Sequence, residues 1–227
     1  MNEIKKNEPL HSQVYSIVKS MIMEGEFHPG ERLIETKVAE KLKVSRGTVR
    51  EAFRMLTKDD LLVQIDGNLF VYNPGAQDIL DIYECRKSLE SLAATLAANN
   101  ITEEQLNQLN LIIENSKEAL KTGNTKELIY YNQQFHDIIS LASQNKQLIQ
   151  LFEVINAKTL YIRNCILKDR PESFEDLVND HEQIYLGLKD RDPEKATKKM
   201  CIHIQRSSEI ASASLHSQAG KSEASLN

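Results

Sequence analysis

Apolar residues recur at helical spacing along most of the chain, and this pattern predicts a mainly α-helical protein. Near the N-terminus, apolar positions three and four residues apart predict helices over 10–24 and 36–42. A tight turn follows, and Ser45 is expected to cap a third helix with its side chain. Two short apolar runs on either side of Asp66-Gly67 then predict a β-hairpin.

The segment Asn73-Pro74-Gly75 interrupts these patterns and predicts a domain boundary. Beyond it no strand is expected. Amphipathic helices are predicted at 76–99, 102–122, 125–143, 145–167, 173–189 and 193–214. Short breaks between them indicate an antiparallel helical bundle. We therefore expect one domain over 1–73, an all-helical domain over 74–214, and a disordered Ser- and Ala-rich tail over 215–227.

Composition excludes several classes of protein. The chain has 227 residues, of which 41% are hydrophobic and 27% charged, so it is neither collagen-like nor largely disordered. Its apolar runs are only a few residues long, which predicts no membrane-spanning segment, and its N-terminus lacks the apolar core of a secretory signal. Three scattered cysteines fit a reducing compartment, so a cytoplasmic location is expected.

Charge is distributed unevenly along the chain. The net charge of −5 argues at first against a nucleic-acid partner, but residues 32–58 carry eight Lys or Arg residues against three Glu. A polyanion responds to this local field rather than to the distant average, because salt screens charges beyond about 8–10 Å. The alternative for such a segment is an ordinary solvated helix face.

Three helices followed by a hairpin, with a tight turn before the third helix, are the layout of a winged helix-turn-helix. That geometry brings the start of the third helix to the major groove of double-stranded DNA, where Arg can donate two hydrogen bonds to guanine. The tip of the hairpin is expected to lie against the neighbouring DNA backbone or minor groove. Six residues are candidates for contacts with an operator: Ser45, Arg46, Thr48, Arg50, Gly67 and Asn68.

Polar residues occupy inward positions in the predicted bundle. His136, His181 and His203 lie on three different helices, each among apolar neighbours. Each alone is explained by a satisfied core histidine, but a shared divalent metal would satisfy all three imidazoles together. The side-chain oxygen of Asn132, one turn before His136, is a candidate fourth ligand, and such a set suits Zn, Ni, Mn or Fe. Arg86 and Leu89 are both expected to face inward from the first helix of the bundle, and Arg86 is the candidate to orient a carboxylate effector.

The sequence resembles a known family at both ends. Residues 33–62, LIETKVAEKLKVSRGTVREAFRMLTKDDLL, together with Gly67, resemble the DNA-binding domain of GntR-type bacterial repressors. The resemblance implies that Arg46, Thr48 and Arg50 read the operator and that Gly67 approaches the DNA backbone. The chain departs from the usual pattern by having Gly47-Thr48 in place of Thr-Pro, and Thr36 where relatives often have a phosphate-binding Arg.

The second half resembles the FCD ligand domain of the FadR-like branch of that family. The similar segments are NQQFH ending at His136, NDHEQIYLGLKDRD around His181, MCIHI around His203, and YECRKSLESLAATLA around Arg86. The resemblance implies an all-helical effector domain that dimerises and holds a divalent metal through an Asp and three His. Asn132 stands where the Asp is usual, which predicts weaker binding of hard cations or a different preferred metal.

The sequence thus predicts a homodimeric, ligand-responsive transcription regulator that acts as a repressor. An alternative is a metal-dependent enzyme with an attached DNA-binding domain, because three His and an open position can activate water. Against it, no acidic residue is expected beside the His set, and no common catalytic motif is present. A purely architectural DNA-binding protein is a third interpretation, but it would not need a polar-cored bundle.

Overall fold

The computed structural model describes residues 8–166 and 174–224, with side chains described up to 164 in the first range and up to 215 in the second. The chain forms two compact units, Met1–Pro74 and Gly75–Asn227. The elements are α1 (Leu10–Glu24), β1 (Arg32–Leu33), α2 (Glu35–Leu42), α3 (Arg46–Lys58), β2 (Leu62–Ile65), β3 (Asn68–Val71), α4 (Ala76–Asn100), α5 (Glu103–Thr122), α6 (Thr125–Ala142), α7 (Lys146–Ile166), α8 (Glu175–Lys189) and α9 (Pro193–Ala224). The predicted mainly α fold, with a winged helix-turn-helix before a helical bundle, is confirmed.

The first unit packs α1, α2 and α3 around an apolar core. Ser45 caps α3 as predicted, because its Oγ accepts a hydrogen bond from the Thr48 N–H at 3.1 Å. The β2–β3 hairpin turns at Asp66 and Gly67, whose φ angles of 49° and 77° both lie in the left-handed region. That geometry is the type I′ turn, which matches the twist of the paired strands and favours glycine.

One strand was not predicted. β1 pairs antiparallel with β3, with Arg32 opposite Phe70, so the sheet order is β1-β3-β2. A strand of two residues has no periodicity to detect. It forms because β3 offers unpaired backbone groups on its outer edge.

The second unit is a bundle of the six predicted helices, in which α4 packs on α9, α6 and α7, and α8 packs on α9 and α5. Glycine is required where α8 meets α9. A Cβ at Gly187 would lie 2.8 Å from the backbone nitrogen of Ala196 and 2.9 Å from its Cα. Contacts that short do not occur, so the two backbones approach this closely only because position 187 has no side chain.

The end of the chain differs from the prediction. α9 continues to Ala224, ten residues beyond its predicted end at 214, so part of the expected disordered tail is helical backbone. A helix needs no apolar stripe to form its own hydrogen bonds, and the added Ser, Ala, Lys and Glu residues permit it. Residues 225–227 and the predicted break at 169–171 lie outside the described residues. In the described part, no helix is both long and apolar enough to cross a bilayer.

Candidate DNA-binding surface and candidate metal centre

The start of α3 presents two arginines to solvent. The side chains of Arg46 and Arg50 are 62% and 50% exposed, whereas Val49 and Phe53 on the opposite face are buried. This division follows from the helical period, because residues four apart share a face. Both arginine side chains are therefore accessible to a ligand outside the unit.

Glu35, the first residue of α2, holds these arginines. Arg50 donates hydrogen bonds from Nε and Nη2 to the two carboxylate oxygens of Glu35 at 3.0 and 2.9 Å. Arg46 Nη2 lies 3.9 Å from Glu35 Oε2. The Arg50 hydrogen bonds lower the pKa of Glu35, so the carboxylate is charged at neutral pH. Glu35 was not among the predicted site residues, because it is one of three Glu residues in this basic segment and nothing in the sequence distinguishes it from the other two.

The predicted hairpin contacts lie next to this pair. Gly67 and Asn68 line one shallow groove together with Arg32, Thr36 and Arg46. Asn68 Oδ1 accepts a hydrogen bond from Arg32, a residue that was not among the predicted contacts. A Cβ at Gly67 would meet nothing within 4 Å, so the tip of the hairpin is open.

Two predicted contact residues are partly engaged within the unit. Ser45 Oγ lies 2.8 Å from the Thr48 hydroxyl and also caps α3. Ser45 is exposed and Thr48 half-buried. The structure thus brings the six predicted residues to the start of α3 and the adjoining hairpin, and adds Arg32 and Glu35.

In the bundle, three imidazoles converge. His136 on α6, His181 on α8 and His203 on α9 are all at most 2% exposed. His203 Nε2 lies 3.2 Å from His136 Nε2 and 3.3 Å from His181 Nε2. A neutral imidazole has one N–H donor and one nitrogen lone pair, so three Nε2 atoms this close cannot all be satisfied by hydrogen bonds to one another. One cation between them would accept a lone pair from each.

The protonation states suit such a cation. Burial lowers the pKa values of His181 and His203 well below 6.5, and the neighbouring imidazoles lower them further. Burial also lowers the pKa of His136, although Glu90 opposes the shift. Neutral imidazole is the form that binds metals.

Asn132, the predicted fourth ligand, is a buried polar residue of α6. It is 3% exposed, one turn before His136, and its Oδ1 has no hydrogen-bond partner among the described residues. A buried oxygen without a hydrogen-bond partner, one helical turn from His136, is of the type that completes a metal site with mixed nitrogen and oxygen ligands.

Glu90 corrects the sequence analysis, which expected Leu89 to face inward and no acid to adjoin the histidines. Leu89 is half-buried, whereas Glu90 is 2% exposed, with one oxygen against His136 Nδ1 and the other 2.7 Å from Arg86 Nε. Burial raises the pKa of Glu90, but Arg86 and His136 outweigh it and hold that pKa well below its usual range. A carboxylate on Nδ1 leaves Nε2 free to bind a metal, the arrangement typical of metal-bound histidine.

Arg86, the predicted effector residue, is therefore already paired with Glu90. A second buried guanidinium, Arg163 on α7, was not predicted. It is 2% exposed, and its Nη1 and Nη2 have no hydrogen-bond partner among the described residues. Burial and the nearby Arg86 lower the pKa of Arg163 to about 10, so it remains a cation. The sequence signal that could have identified Arg163 is an arginine within the apolar stripe of a predicted helix.

Each half of the chain matches a known protein family. Residues 81–206 match the FCD domain, and residues 10–70 match the family described as bacterial regulatory proteins, gntR family. The uncharacterized HTH-type transcriptional regulator YdhC of Bacillus subtilis is 34% identical over 91% of this chain and 93% of its own length. The HTH-type transcriptional repressor RspR of Escherichia coli is 24% identical, with 91% of each chain covered.

The structure of E. coli McbR/YncC matches with a TM-score of 0.74 at 25% identity, covering 90% of this chain and 98% of the other. These relatives are named as regulators, so the interpretation as a metalloenzyme is set aside, and the chain is a regulator rather than an enzyme. Its two halves match one after the other along a single chain. The protein belongs to the GntR family of bacterial transcription regulators and carries an FCD domain.

Proposed function

We propose that the protein is a ligand-responsive repressor that binds a palindromic operator as a homodimer and senses a small carboxylate at a metal centre in the helical domain. The observation that carries the sensing part is the convergence of three buried imidazoles in the FCD region, with Glu90 and Arg86 beside them. The repressor direction is supported by relatives such as RspR, which is named a repressor.

Operator binding is assigned to the first domain, 1–73. Arg46 and Arg50 would read base edges from the major groove, while Ser45 and Thr48 would contact bases or phosphates. Gly67 and Asn68 would approach the backbone from the hairpin. The exposure of both arginines supports these roles.

A homodimer would present two such helices to the two halves of a palindrome. Exposed apolar side chains on α7 support self-association, because Leu151 and Val154 are 57% and 60% exposed and lie three residues apart on one helix. Large apolar side chains grouped on one face are typical of an interaction surface.

The metal would be held by Asn132, His136, His181 and His203, within the helical domain over 74–214. A divalent ion of the Zn, Ni or Mn class would supply positive charge that attracts a carboxylate, and Arg86 would help to orient it. The effector would then change operator affinity only to the extent that it binds one conformation of the dimer better than the other.

Operator binding is tested with an Arg46→Ala/Arg50→Ala variant and duplexes selected from a random library by the unmodified protein. We expect affinity, measured by fluorescence anisotropy, to fall at least about 30-fold, because each bidentate base contact contributes about 1–3 kcal/mol. Arg54→Ala is the matched control, since Arg54 is 69% exposed on the same helix and already paired with Glu51. Unchanged affinity in the double variant would refute the assignment.

The metal centre is tested by stripping the protein with a chelator, reloading it with Zn²⁺, Ni²⁺ or Mn²⁺, and measuring the metal content. We expect about one ion per chain, none in the variant with His136, His181 and His203 all changed to Ala, and normal loading in His28→Ala. Glu90→Gln should weaken binding about 10–100-fold, as is typical for a group that orients a ligand. Equal loading of the triple variant would refute the site.

A further inference from the structure

The buried charge around the histidines is unbalanced. Arg86 and Arg163 are two cations at 1% and 2% exposure, and Glu90 is the one carboxylate within ion-pair distance of either, among the described residues. The histidines add no negative charge. The cluster therefore carries an excess of one positive charge in a site from which water is largely excluded.

Only part of the Arg86 guanidinium is hydrogen-bonded. Its Nε donates to Glu90 at 2.7 Å, and its Nη1 has no hydrogen-bond partner among the described residues. Tyr83 contacts both cations, because its ring lies 4.9 Å from Arg86 Cζ and its side chain hydrogen-bonds Arg163. Both guanidiniums thus contact one tyrosine, and each keeps N–H groups without a hydrogen-bond partner among the described residues.

Other acids nearby already have partners. Asp137 accepts hydrogen bonds from Gln133 at 3.0 Å and Asn156 at 2.7 Å, and Asp180 pairs with Arg206 at 2.9 Å. Neither supplies a counter-charge to Arg163 within ion-pair distance. Among the described residues, Arg163 thus has a hydrogen bond to Tyr83 but no counter-charge within ion-pair distance. A buried cation without a counter-charge is destabilising, and a bound anion would remove that imbalance.

We infer that Arg163, with the free Nη1 of Arg86, is a receptor for a second anionic group of the effector, and that the effector is a small organic acid with two anionic groups. The inference rests on the proposed sensing function. A divalent metal would raise the excess to three positive charges, of which a monocarboxylate balances one. A guanidinium fork matches carboxylate or phosphoryl oxygens in two parallel hydrogen bonds.

Matched probes test the charge of the ligand. Succinate and monomethyl succinate differ by one charge, and the series malonate, succinate, glutarate and adipate varies the spacing of the two groups. In calorimetric titrations of the metal-loaded protein, we expect at least tenfold tighter binding of the best dicarboxylate than of its monoester. We also expect an optimum in chain length. Inorganic phosphate distinguishes recognition of a phosphoryl group from that of a carboxylate.

The role of Arg163 is tested with Arg163→Met, which keeps the length of the side chain and removes its charge. We expect the preference for the dicarboxylate to disappear. Without ligand, the unfolding midpoint should equal or exceed that of the unmodified protein, because an unpaired buried charge is gone. A purely structural arginine would instead lower the midpoint. Arg191→Met is the control, since Arg191 is 43% exposed and lies 3.8 Å from Glu103.

Equal affinity for the diacid and its monoester in the unmodified protein overturns the inference, as does a preference that survives in Arg163→Met. If Arg163→Met does not fold, the comparison of the diacid with its monoester in the unmodified protein still tests the inference. Operator release is measured in parallel. If monocarboxylates release the operator as well as diacids do, only this inference fails; if no acid changes operator affinity, the proposed sensing function fails.

Discussion

The two units place their functional side chains in opposite environments. In the first unit, Arg46 and Arg50 are exposed and come from one helix start, within five residues of each other. In the second, His136, His181 and His203 are buried and come from three helices spread over almost seventy residues. A surface that reads DNA can be local, because a single helix enters the groove. A site that encloses a small ligand needs side chains from several directions.

The ion pairs of the two units also differ in their exposure to solvent. The ion pair of Glu35 with Arg50 is exposed and screened, so water or phosphate can replace it at little energetic cost. The Arg86–Glu90 pair is at most 2% exposed, and removing either partner leaves a charge in a low-dielectric interior. Mutations should therefore have graded effects in the first unit and large ones in the second, unless they alter a core.

The largest effect is expected from Phe53→Ala, which tests whether the units are independent. Phe53 is 1% exposed in the core of the first unit, and truncating a buried Phe lowers the free energy of unfolding by about 3–5 kcal/mol. We expect loss of operator binding while metal loading of the helical unit is retained, measured by anisotropy and metal analysis. Arg54→Ala is the exposed control, and parallel loss of metal loading would show that the units are coupled.

Gly187→Ala should have the next largest effect, because it forces apart the two helices that carry His181 and His203. Overpacking lowers the free energy of unfolding by about 1–3 kcal/mol. We expect this loss in chemical denaturation of the helical unit, together with weaker metal binding and unchanged operator binding. Asn179→Ala, on the exposed face of α8, should change neither. Normal metal affinity in Gly187→Ala would mean that the close helix contact does not position the histidines.

The metal-free helical unit should lose stability as the pH falls from 7.5 to 5.5. The folded-state pKa values of His181 and His203 lie well below 6.5, whereas in the unfolded chain they return to about 6.5. The unfolded state therefore binds more protons as the pH falls through 6.5, so the free energy of unfolding of the metal-free unit should decrease over this range. Urea denaturation at both pH values measures the change, and a His181→Gln/His203→Gln variant should lose most of it.

The smallest effect on stability is expected from Glu35→Gln, because an exposed ion pair contributes less than about 1 kcal/mol. The change frees Arg46 and Arg50 and removes a negative charge from the surface that we propose faces DNA. We expect tighter binding to unrelated duplexes and poorer discrimination of the operator, measured by anisotropy over a range of salt concentrations. A larger loss of stability would show that Glu35 has a structural role that its exposure does not suggest.

Local chemistry made much of the fold predictable. The start of α3 follows from Ser45, and the hairpin turn from Asp66-Gly67, because caps and turns depend on residues three or fewer positions apart. The inward faces of α6, α8 and α9 follow from helical periodicity, which is why His136, His181 and His203 could be identified as neighbours in one core.

The sequence by itself determined the helices, the hairpin, the basic start of α3 and the inward positions of the three histidines, because each depends on spacing along a single helix or turn. Only the tertiary structure decided that Glu90 lies behind His136, that Glu35 pairs with Arg50 and lies near Arg46, and that Arg163 has no counter-charge within ion-pair distance among the described residues. Those relations join residues that are distant along the chain, and a one-residue rotation of a helix face, from Leu89 to Glu90, is enough to change them. Periodicity does not resolve such a rotation, whereas the packing of neighbouring helices does.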